Sequence, residues 1–245
     1  MEKKHQLNSR ISVDCVILGF DSEGLKVLLI ERNPVIDNEL VQALPGDLIF
    51  DDEDLDKAAQ RVLFELTGLK DIYLEQIGAF GSQERLSKPE DRKWLEAVRK
   101  FPDERVITVA YYSLVNKALY SPQASSFAKN AVWMPIEDVQ SLAFDHFEIL
   151  QTGLRKLRSK ATIQPIGFNL LPEKFILSDL HKLYESILGR ELDKRNFRRK
   201  INKLGLVESL NEKQIGVPHK PSYIYKFNEE NYQRLVDDGF DNFGF

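Results

Sequence analysis

The segment LPGDLIFDDEDLDKAAQRVLFELTGL, residues Leu44–Leu69, decides the fold of the first part of this chain. It opens with Leu-Pro-Gly, passes through a run of aspartates and closes with Gly68. Between the acids and this glycine, apolar side chains recur at the spacing of one helix face: Leu55, Ala59, Val62, Leu63 and Leu66. The segment therefore predicts a loop, an amphipathic helix and a closing turn.

The polar residues of this segment resemble a Nudix box, which in active enzymes forms a loop-helix-loop that holds Mg²⁺ against a diphosphate. The Nudix pattern is fitted without a gap at five positions: Glu53, Arg61, Glu65, Gly68 and Leu69. An ordinary amphipathic helix explains the apolar positions equally well. It does not explain the Leu-Pro-Gly opening together with the spacing of arginine, glutamate and glycine, so we favour the Nudix interpretation.

Three positions depart from the Nudix pattern, because Asp47 replaces the opening glycine and Val62 and Leu66 replace two clustered acids. Residues 62, 65 and 66 share one helix face, which carries three carboxylates in an active Nudix enzyme. A single carboxylate, that of Glu65, does not suffice for a site that holds hard cations. We therefore predict a Nudix fold that binds without a metal or cofactor, and no enzymatic activity.

The composition is that of a globular protein, with 42% apolar and 29% charged residues among 245. The single Cys15 has no partner for an intramolecular disulfide, which favours a buried thiol in a reducing compartment. The basic residues of the N-terminus precede no apolar segment, and no run approaches the roughly 18 apolar residues of a membrane helix. We expect a cytoplasmic protein.

Charge is unevenly distributed along the chain. Residues 1–150 contain 17 Lys and Arg against 26 Asp and Glu, whereas residues 151–226 contain 16 against 7. The short tail that follows is again acidic. A basic block beside an acidic one predicts two units with different partners, and the basic unit fits a polyanion.

The N-terminal unit is predicted to contain strands at 12–20, 25–33, 72–81, 106–115 and 131–135, which flank the box helix. The polar stretch 82–104 predicts a ligand-side loop or mobile excursion, with a short helix around residues 90–100. A longer helix is predicted from Asp145 to Ser159, with His146 at its start in a capping or packing role. Asp14 interrupts an apolar strand, where its carboxylate faces either solvent or a pocket.

A break with Pro165, Gly167 and Pro172 separates two predicted domains, residues 1–160 and 161–245. Beyond it the pattern is helix, helix, hairpin. Ser178 is predicted to cap the first helix and Asp193 the second. This order is typical of a winged helix-turn-helix, whose second helix enters the major groove of DNA.

The second helix of this domain is predicted to bind DNA. Phe197, Ile201 and Leu204 form its apolar face, and basic residues occupy the other face. A solvated basic face is the plainer interpretation, but the charge bias of the segment and the aromatic hairpin after it favour DNA. The candidate DNA-binding residues are Lys194, Arg195, Arg198, Arg199, Asn202, Lys203, Lys220 and Tyr223.

Nearly the whole chain resembles the Nudix-related transcriptional regulators, as the motifs VDCVILGF, ERVITVAYYSL and FDHFEILQTGLRKLRSK illustrate. The resemblance implies an α+β protein, in which a Nudix-like α/β/α sandwich with a mixed sheet precedes a winged helix. It also implies a homodimeric repressor that binds a palindromic operator under control of a metabolite. Some members sense ADP-ribose and others a pentose such as L-arabinose. The lost acids favour the sugar-sensing, arabinose-responsive branch and a role in carbohydrate metabolism.

The candidate ligand-binding residues are charged side chains at strand ends or near the box: Asp14, Glu53, Glu65, Arg85 and Arg105. Two other functions remain open. One is a Mg²⁺-dependent Nudix hydrolase of ADP-ribose or a related nucleoside diphosphate, if Asp51 or Asp52 restores a metal site. The other is an adaptor that binds protein through the hairpin, and this function predicts no salt-sensitive DNA affinity.

Overall fold

The computed structural model describes residues 6–21, 23–32, 41–124, 126, 128–218 and 220–239. The chain divides into two compact units. The first contains Met1–Gly19 and Lys26–Gly153, and the second contains Phe20–Leu25 and Leu154–Phe245. In the described part of the chain, no helix is both long and apolar enough to cross a membrane.

The first unit is built on a seven-stranded sheet. Its strands are β1 (Leu7–Asp21), β2 (Gly24–Arg32), β3 (Gln42–Ala43), β4 (Gly46–Phe50), β5 (Glu75–Phe80), β6 (Ile107–Asn116) and β7 (Ala128–Pro135). The order is β3-β2-β1-β6-β5, with β4 paired to β1 and β7 paired to β2. The predicted strands are all present, and β3 and β4, which the sequence did not indicate, flank the Leu-Pro-Gly turn.

Three helices belong wholly or partly to this unit: α1 (Leu55–Thr67), α2 (Pro89–Val98) and α3 (His146–Ile163). Helix α1 is the predicted box helix. The Asp54 side chain caps its start by accepting from the Lys57 N–H at 2.8 Å. Gly68 ends it with a φ of 73°, a left-handed conformation that glycine adopts without strain. Helix α2 confirms the short helix expected within residues 82–104.

The two faces of β1 contact different helices. Side chains alternate along a strand, so Val13, Cys15 and Ile17 share one face. The Cys15 thiol lies 3.8 Å from the Ala59 carbonyl oxygen, which places α1 on this face. Val16 points the opposite way and lies beside Gly153 of α3. The sheet is therefore covered on both faces, and Ser12 and Asp14 share the face that is turned away from α1.

The second unit has helices α4 (Leu177–Leu188), α5 (Lys194–Leu204) and α6 (Glu229–Asp237), with strands β8 (Phe175–Ile176), β9 (Val207–Lys213) and β10 (Tyr223–Phe227). The strands form a sheet in the order β8-β10-β9. This is the predicted succession of two helices and a hairpin. Helix α6 was not predicted, and the last residues of the acidic tail lie outside the described residues.

Two predicted helix boundaries are wrong. Ser178 does not cap α4, because Ile176 pairs with Ile224 as part of a strand and the helix begins directly after it, at Leu177. Ser178 therefore lies inside the first turn. Helix α3 continues to Ile163 instead of ending at Ser159, so residue 160, the predicted domain boundary, lies within it. Asp193 does cap α5, since its Oδ1 accepts from the Asn196 N–H at 2.7 Å.

Candidate functional site

Arg61 is the centre of a charged group formed with Glu53 and Glu65, called the box cluster below. Its Nε donates to Glu53 Oε2 and its Nη1 to Glu65 Oε2, both at 2.9 Å. Its Nη2 donates to the Leu48 carbonyl oxygen at 3.1 Å, and the guanidinium lies 4.0 Å from the centroid of the Phe50 ring. The two glutamates thus attach the loop before α1 to the helix through one arginine.

The box cluster sets one arginine against two glutamates, so the charge of Arg61 is shared between Glu53 and Glu65. Burial raises the pKa of Glu53, but hydrogen bonds from Arg61 and from the Phe50 N–H outweigh it and hold that pKa below its ordinary value. Burial lowers the pKa of Arg61, and the two glutamates more than offset this effect. Both partners are therefore ionised at neutral pH, and their charges are used within the fold.

The helix positions that lost their acids belong to the apolar core. Val62 is 0% exposed and Leu66 is 1% exposed. No group of three or more His, Cys, Asp or Glu side chains in the described part of the chain is placed to hold a metal ion. Mg²⁺ needs several oxygen ligands in near-octahedral geometry, so the residues present at the box do not fit it.

A cavity of about 650 Å³, called the main pocket below, lies beside Ser12 and Asp14, on the side of β1 away from α1. Its walls come from β1, β2, β4, the segment 85–101 and the start of α3. Ionisable and aromatic side chains are prominent in its lining: Asp14, Arg32, Asp47, Arg85, Arg99, Lys100, His146, Trp94, Phe101 and Phe144. A pocket with an apolar floor and a few converging polar groups is typical of a small-molecule site.

Asp14 is the most constrained charge in the main pocket. Its Oδ1 lies 3.3 Å from His146 Nε2, and its Oδ2 lies 3.4 Å from Arg85 Nη2. Arg85 is held in turn by Asp145, to which its Nε and Nη2 donate at 3.0 Å. Burial raises the pKa of Asp14, but His146 and Arg85 outweigh it and bring the pKa to about 2. The carboxylate is therefore ionised at neutral pH and fixed in position.

Gly46 is required by the position of Asp14. The two residues are paired across β1 and β4, and a Cβ added to Gly46 would lie 1.8 Å from Asp14 Oδ1. No side chain fits at that distance. The glycine of the Leu-Pro-Gly turn thus leaves the space that the Asp14 carboxylate occupies.

The structure separates the five predicted ligand-binding residues. Asp14 and Arg85 line the main pocket and contact each other. Glu53 and Glu65 do not line it, because both belong to the box cluster. Arg105 lies beside a smaller cavity of about 280 Å³ and donates through Nη2 to the Gly81 carbonyl oxygen at 2.6 Å.

Several residues of the main pocket were missed by sequence reasoning, among them Arg32, Trp94, Arg99 and Phe144. They come from β2, from α2 with the residue after it, and from the segment before α3, which meet only through the fold. His146 was predicted in a packing or capping role, and its Nδ1 does accept from the Leu44 N–H at 3.0 Å. Its Nε2 also faces Asp14 in the pocket, which the sequence did not indicate.

Helix α5 has an apolar face and a basic face. Phe197 and Ile201 are 1% and 0% exposed, whereas the basic side chains, apart from half-buried Lys200, are exposed. Arg199 Nη2 donates to Asn196 Oδ1 at 3.0 Å, which orients one guanidinium along the helix surface. The exposed candidates on α5 are Lys194, Arg195, Arg198, Arg199, Asn202 and Lys203.

The hairpin β9–β10, called the wing below, follows α5 directly. Tyr223 is 49% exposed, and the Lys213 ammonium lies 4.9 Å from the centroid of its ring. Lys220 is exposed in the loop between the two strands. His219, which was expected in the same loop, lies outside the described residues. Helix and wing thus present basic and aromatic side chains in adjacent segments of one small domain.

A box cluster bonded within the fold, a separate pocket and a winged helix with a basic second helix define a Nudix-type regulator. Residues 8–153 match the family model described as NUDIX domain. Residues 167–227 match the model described as NrtR DNA-binding winged helix domain. The predicted fold class is thereby confirmed.

Similar proteins assign the chain to a narrower family within this class. The ADPR responsive transcriptional repressor NtrR of Acinetobacter baylyi is 31% identical over 226 residues, which are 91% of this chain and 83% of that protein. The chain belongs to this NrtR-type family of transcriptional repressors. NrtR of Shewanella oneidensis, crystallised with a 27mer DNA, is 25% identical with a TM-score of 0.68, covering 91% of this chain and 95% of that one. A MutT/nudix family protein from Enterococcus faecalis, 23% identical over 93% of this chain and 90% of that one, shares the fold with a TM-score of 0.65.

Proposed function

We propose that this chain represses transcription by binding operator DNA through α5 and the wing, under control of a small molecule in the main pocket. The observation that carries the DNA role is the exposed basic face of α5 on a buried apolar back. Arg and Asn side chains on such a helix pair with base edges in the major groove, and Lys side chains bind phosphates. The similarity to an NrtR crystallised with DNA supports this assignment.

A homodimer is part of this proposal. Two copies of α5 related by a twofold axis would enter major grooves about one helical turn apart. The operator is therefore expected to be a palindrome, bound by two chains. Sedimentation of the protein with and without operator DNA measures both the state of the free protein and the number of chains bound.

The DNA role is tested by replacing two exposed arginines of α5. The double substitution Arg198→Ala/Arg199→Ala is expected to weaken operator binding at least about 30-fold, since each base contact contributes about 1 kcal/mol or more. Fluorescence anisotropy with DNA from upstream of the protein's own operon measures this loss. The matched control is Lys182→Ala/Arg190→Ala, two exposed basic residues on and just after α4. Equal affinities of the two double variants would contradict the assignment.

For the effector, we propose ADP-ribose or a related nucleotide in place of the predicted pentose. None of the comparisons supports the arabinose branch, and the relative from Acinetobacter baylyi is described as ADPR responsive. The cavity of about 650 Å³ is large for a pentose, because pockets of roughly 300–1,000 Å³ hold drug-sized ligands. Two of its four basic lining side chains, Arg32 and Arg85, are paired with acids, and the other two, Arg99 and Lys100, favour an anionic ligand over a neutral sugar.

The effector is identified by its action on the protein–DNA complex. ADP-ribose, L-arabinose and other pentoses are added in turn to the operator complex at one moderate salt concentration. We expect ADP-ribose to change the bound fraction and the pentoses to leave it unchanged. A response to one pentose and none to ADP-ribose would restore the sugar-sensing interpretation without affecting the DNA role.

We also propose that the chain is not a hydrolase, because the box residues do not fit Mg²⁺. Incubation with ADP-ribose and either Mg²⁺ or Mn²⁺ is expected to yield no AMP at enzymatic rates. Turnover on the order of 1 per second or faster would establish the hydrolase alternative. The same samples, assayed for DNA binding, show whether the two activities belong to one protein.

A further inference from the structure

The main pocket contains arginines in two different states. Arg32 and Arg85 are both bonded to acids: Arg32 Nη1 donates to Asp91 Oδ1 at 2.9 Å, and Arg85 is bonded to Asp14 and Asp145. Both are 4% exposed in their side chains, so these ion pairs are internal parts of the pocket wall. Their positive charges are therefore largely compensated by these acids.

Arg99 differs from these two arginines. It follows α2, lines the same pocket, and its guanidinium forms neither a hydrogen bond nor an ion pair with any residue that the structure describes. Burial lowers the pKa of Arg99, Asp47 and Asp14 partly offset this from a distance, and Arg85 lowers it further. Among the described residues, the Arg99 guanidinium is thus a partly desolvated cation without a directly bonded acid, and an anion in the pocket would stabilise it.

Among the acids of the pocket, Asp47, which replaces the glycine of the Nudix pattern, raises the pKa of Arg99 most. Its Oδ1 accepts from the N–H of Leu48 at 2.7 Å, and no ion pair joins it to Arg99. Burial raises the pKa of Asp47, and the Leu48 N–H and Arg99 only partly oppose this. When ionised, Asp47 opposes an anion bound beside Arg99.

The surroundings of Arg99 complete a site for an acidic group attached to a ring. Lys100 is exposed beside it, and its ammonium lies 5.2 Å from the centroid of the Phe101 ring. Phe101, which is 51% exposed, and Trp94 both line the same pocket. Guanidinium and ammonium groups bind phosphate or carboxylate oxygens, and aromatic rings contact the flat part of a ligand.

We propose that Arg99, assisted by Lys100, binds the acidic group of the effector, and that this group is a phosphate or a carboxylate. The proposal rests on the proposed function only in taking the main pocket as the effector site. It places recognition on the segment that follows α2, away from the box cluster. A neutral sugar can accept hydrogen bonds from Arg99 but leaves its charge uncompensated.

The first test uses inorganic pyrophosphate as a probe of phosphate and citrate as a probe of carboxylate, each titrated calorimetrically into the full-length protein. The wild type is expected to bind at least one of them, and Arg99→Met to weaken that binding at least about 10-fold, the size of one lost charge-assisted bond. The anion that binds identifies the chemistry of the group. Absence of binding by both anions to the wild type would overturn the proposal.

Matched variants make the test specific. Arg92→Met changes an exposed arginine of α2 that pairs with Glu96 and Asp103, and it is expected to bind the anion as the wild type does. Asp47→Asn removes a negative charge near the proposed site and is expected to tighten anion binding by about 3-fold or more. Equal binding by the Arg99 and Arg92 variants would show that Arg99 does not bind the anion.

Failure of this inference is distinguishable from failure of the effector assignment. If pyrophosphate binding depends on Arg99 but ADP-ribose has no effect on the operator complex, the anion site stands and the effector is another acid. If ADP-ribose dissociates or strengthens the complex equally well in wild type and Arg99→Met, the effector stands and the anion site is wrong. Each variant is checked for operator binding without ligand, which is expected to be unchanged.

Discussion

The box cluster and the main pocket contain the same kinds of charged side chains and use them differently. In the box cluster, Arg61 is bonded to Glu53, Glu65 and a backbone oxygen, so its charge stabilises the loop before α1. In the main pocket, Arg99 forms no such bond with any residue that the structure describes. The segment with the recognisable motif thus uses its arginine within the fold, whereas the arginine that we propose binds a ligand lies in a segment without a motif.

Restoration of the two missing acids is expected to have the largest effect, because it places carboxylates in the apolar core. The double substitution Val62→Glu/Leu66→Glu should lower the free energy of unfolding by on the order of 5 kcal/mol or prevent folding. Urea denaturation followed by circular dichroism measures this change.

Phe64→Glu is the matched control, since Phe64 lies on the same helix and is 52% exposed. Its effect should stay within about 1 kcal/mol. A folded double variant that converts ADP-ribose to AMP with Mg²⁺ would mean that the box cluster is a dormant metal site, and the contrast drawn above would disappear.

Replacing one arginine in the box cluster and one in the main pocket is expected to give the second largest difference in the free energy of unfolding. Arg61→Met leaves two part-buried glutamates without their partner and should lower the free energy of unfolding by about 3 kcal/mol. Arg99→Met removes a cation that is bonded to no acid among the described residues, so the change should stay within about 1 kcal/mol. Both are measured by urea denaturation at neutral pH. Similar losses in the two variants would show that Arg99 is structural as well.

Acidification tests the role of Asp14 in the main pocket, and it has the smallest expected effect on the free energy of unfolding. The folded-state pKa of Asp14 is about 2, below its ordinary 3.8, so its ionisation stabilises the fold above about pH 4. This contribution, about 2 kcal/mol, is lost as the pH falls from about 4 to 2. Asp14→Asn should therefore show a weaker dependence of stability on pH in this range. Parallel curves for wild type and variant would contradict the pKa assigned to Asp14.

Local sequence patterns predicted the features that depend on residues close together in the chain, such as individual helices. The spacing of Glu53, Arg61 and Glu65 indicated the box helix, and the charges and apolar stripe after Asp193 indicated α5. The predicted ligand-binding residues do not form one site in the structure, because sequence spacing does not reveal which charges pair with one another. Glu53 and Glu65 were chosen for their place in the motif, yet Arg61 binds both. Arg99 was missed because its place in the pocket depends on long-range packing of the segment after α2.

The close approach of Gly46 and Asp14 limits which substitutions position 46 tolerates. A Cβ at residue 46 would lie 1.8 Å from Asp14 Oδ1 and 2.9 Å from the Val13 carbonyl oxygen. An alanine there therefore displaces the Asp14 carboxylate from its contacts with His146 and Arg85. The constraint runs in one direction, because a glycine at position 46 leaves room for any residue at position 14.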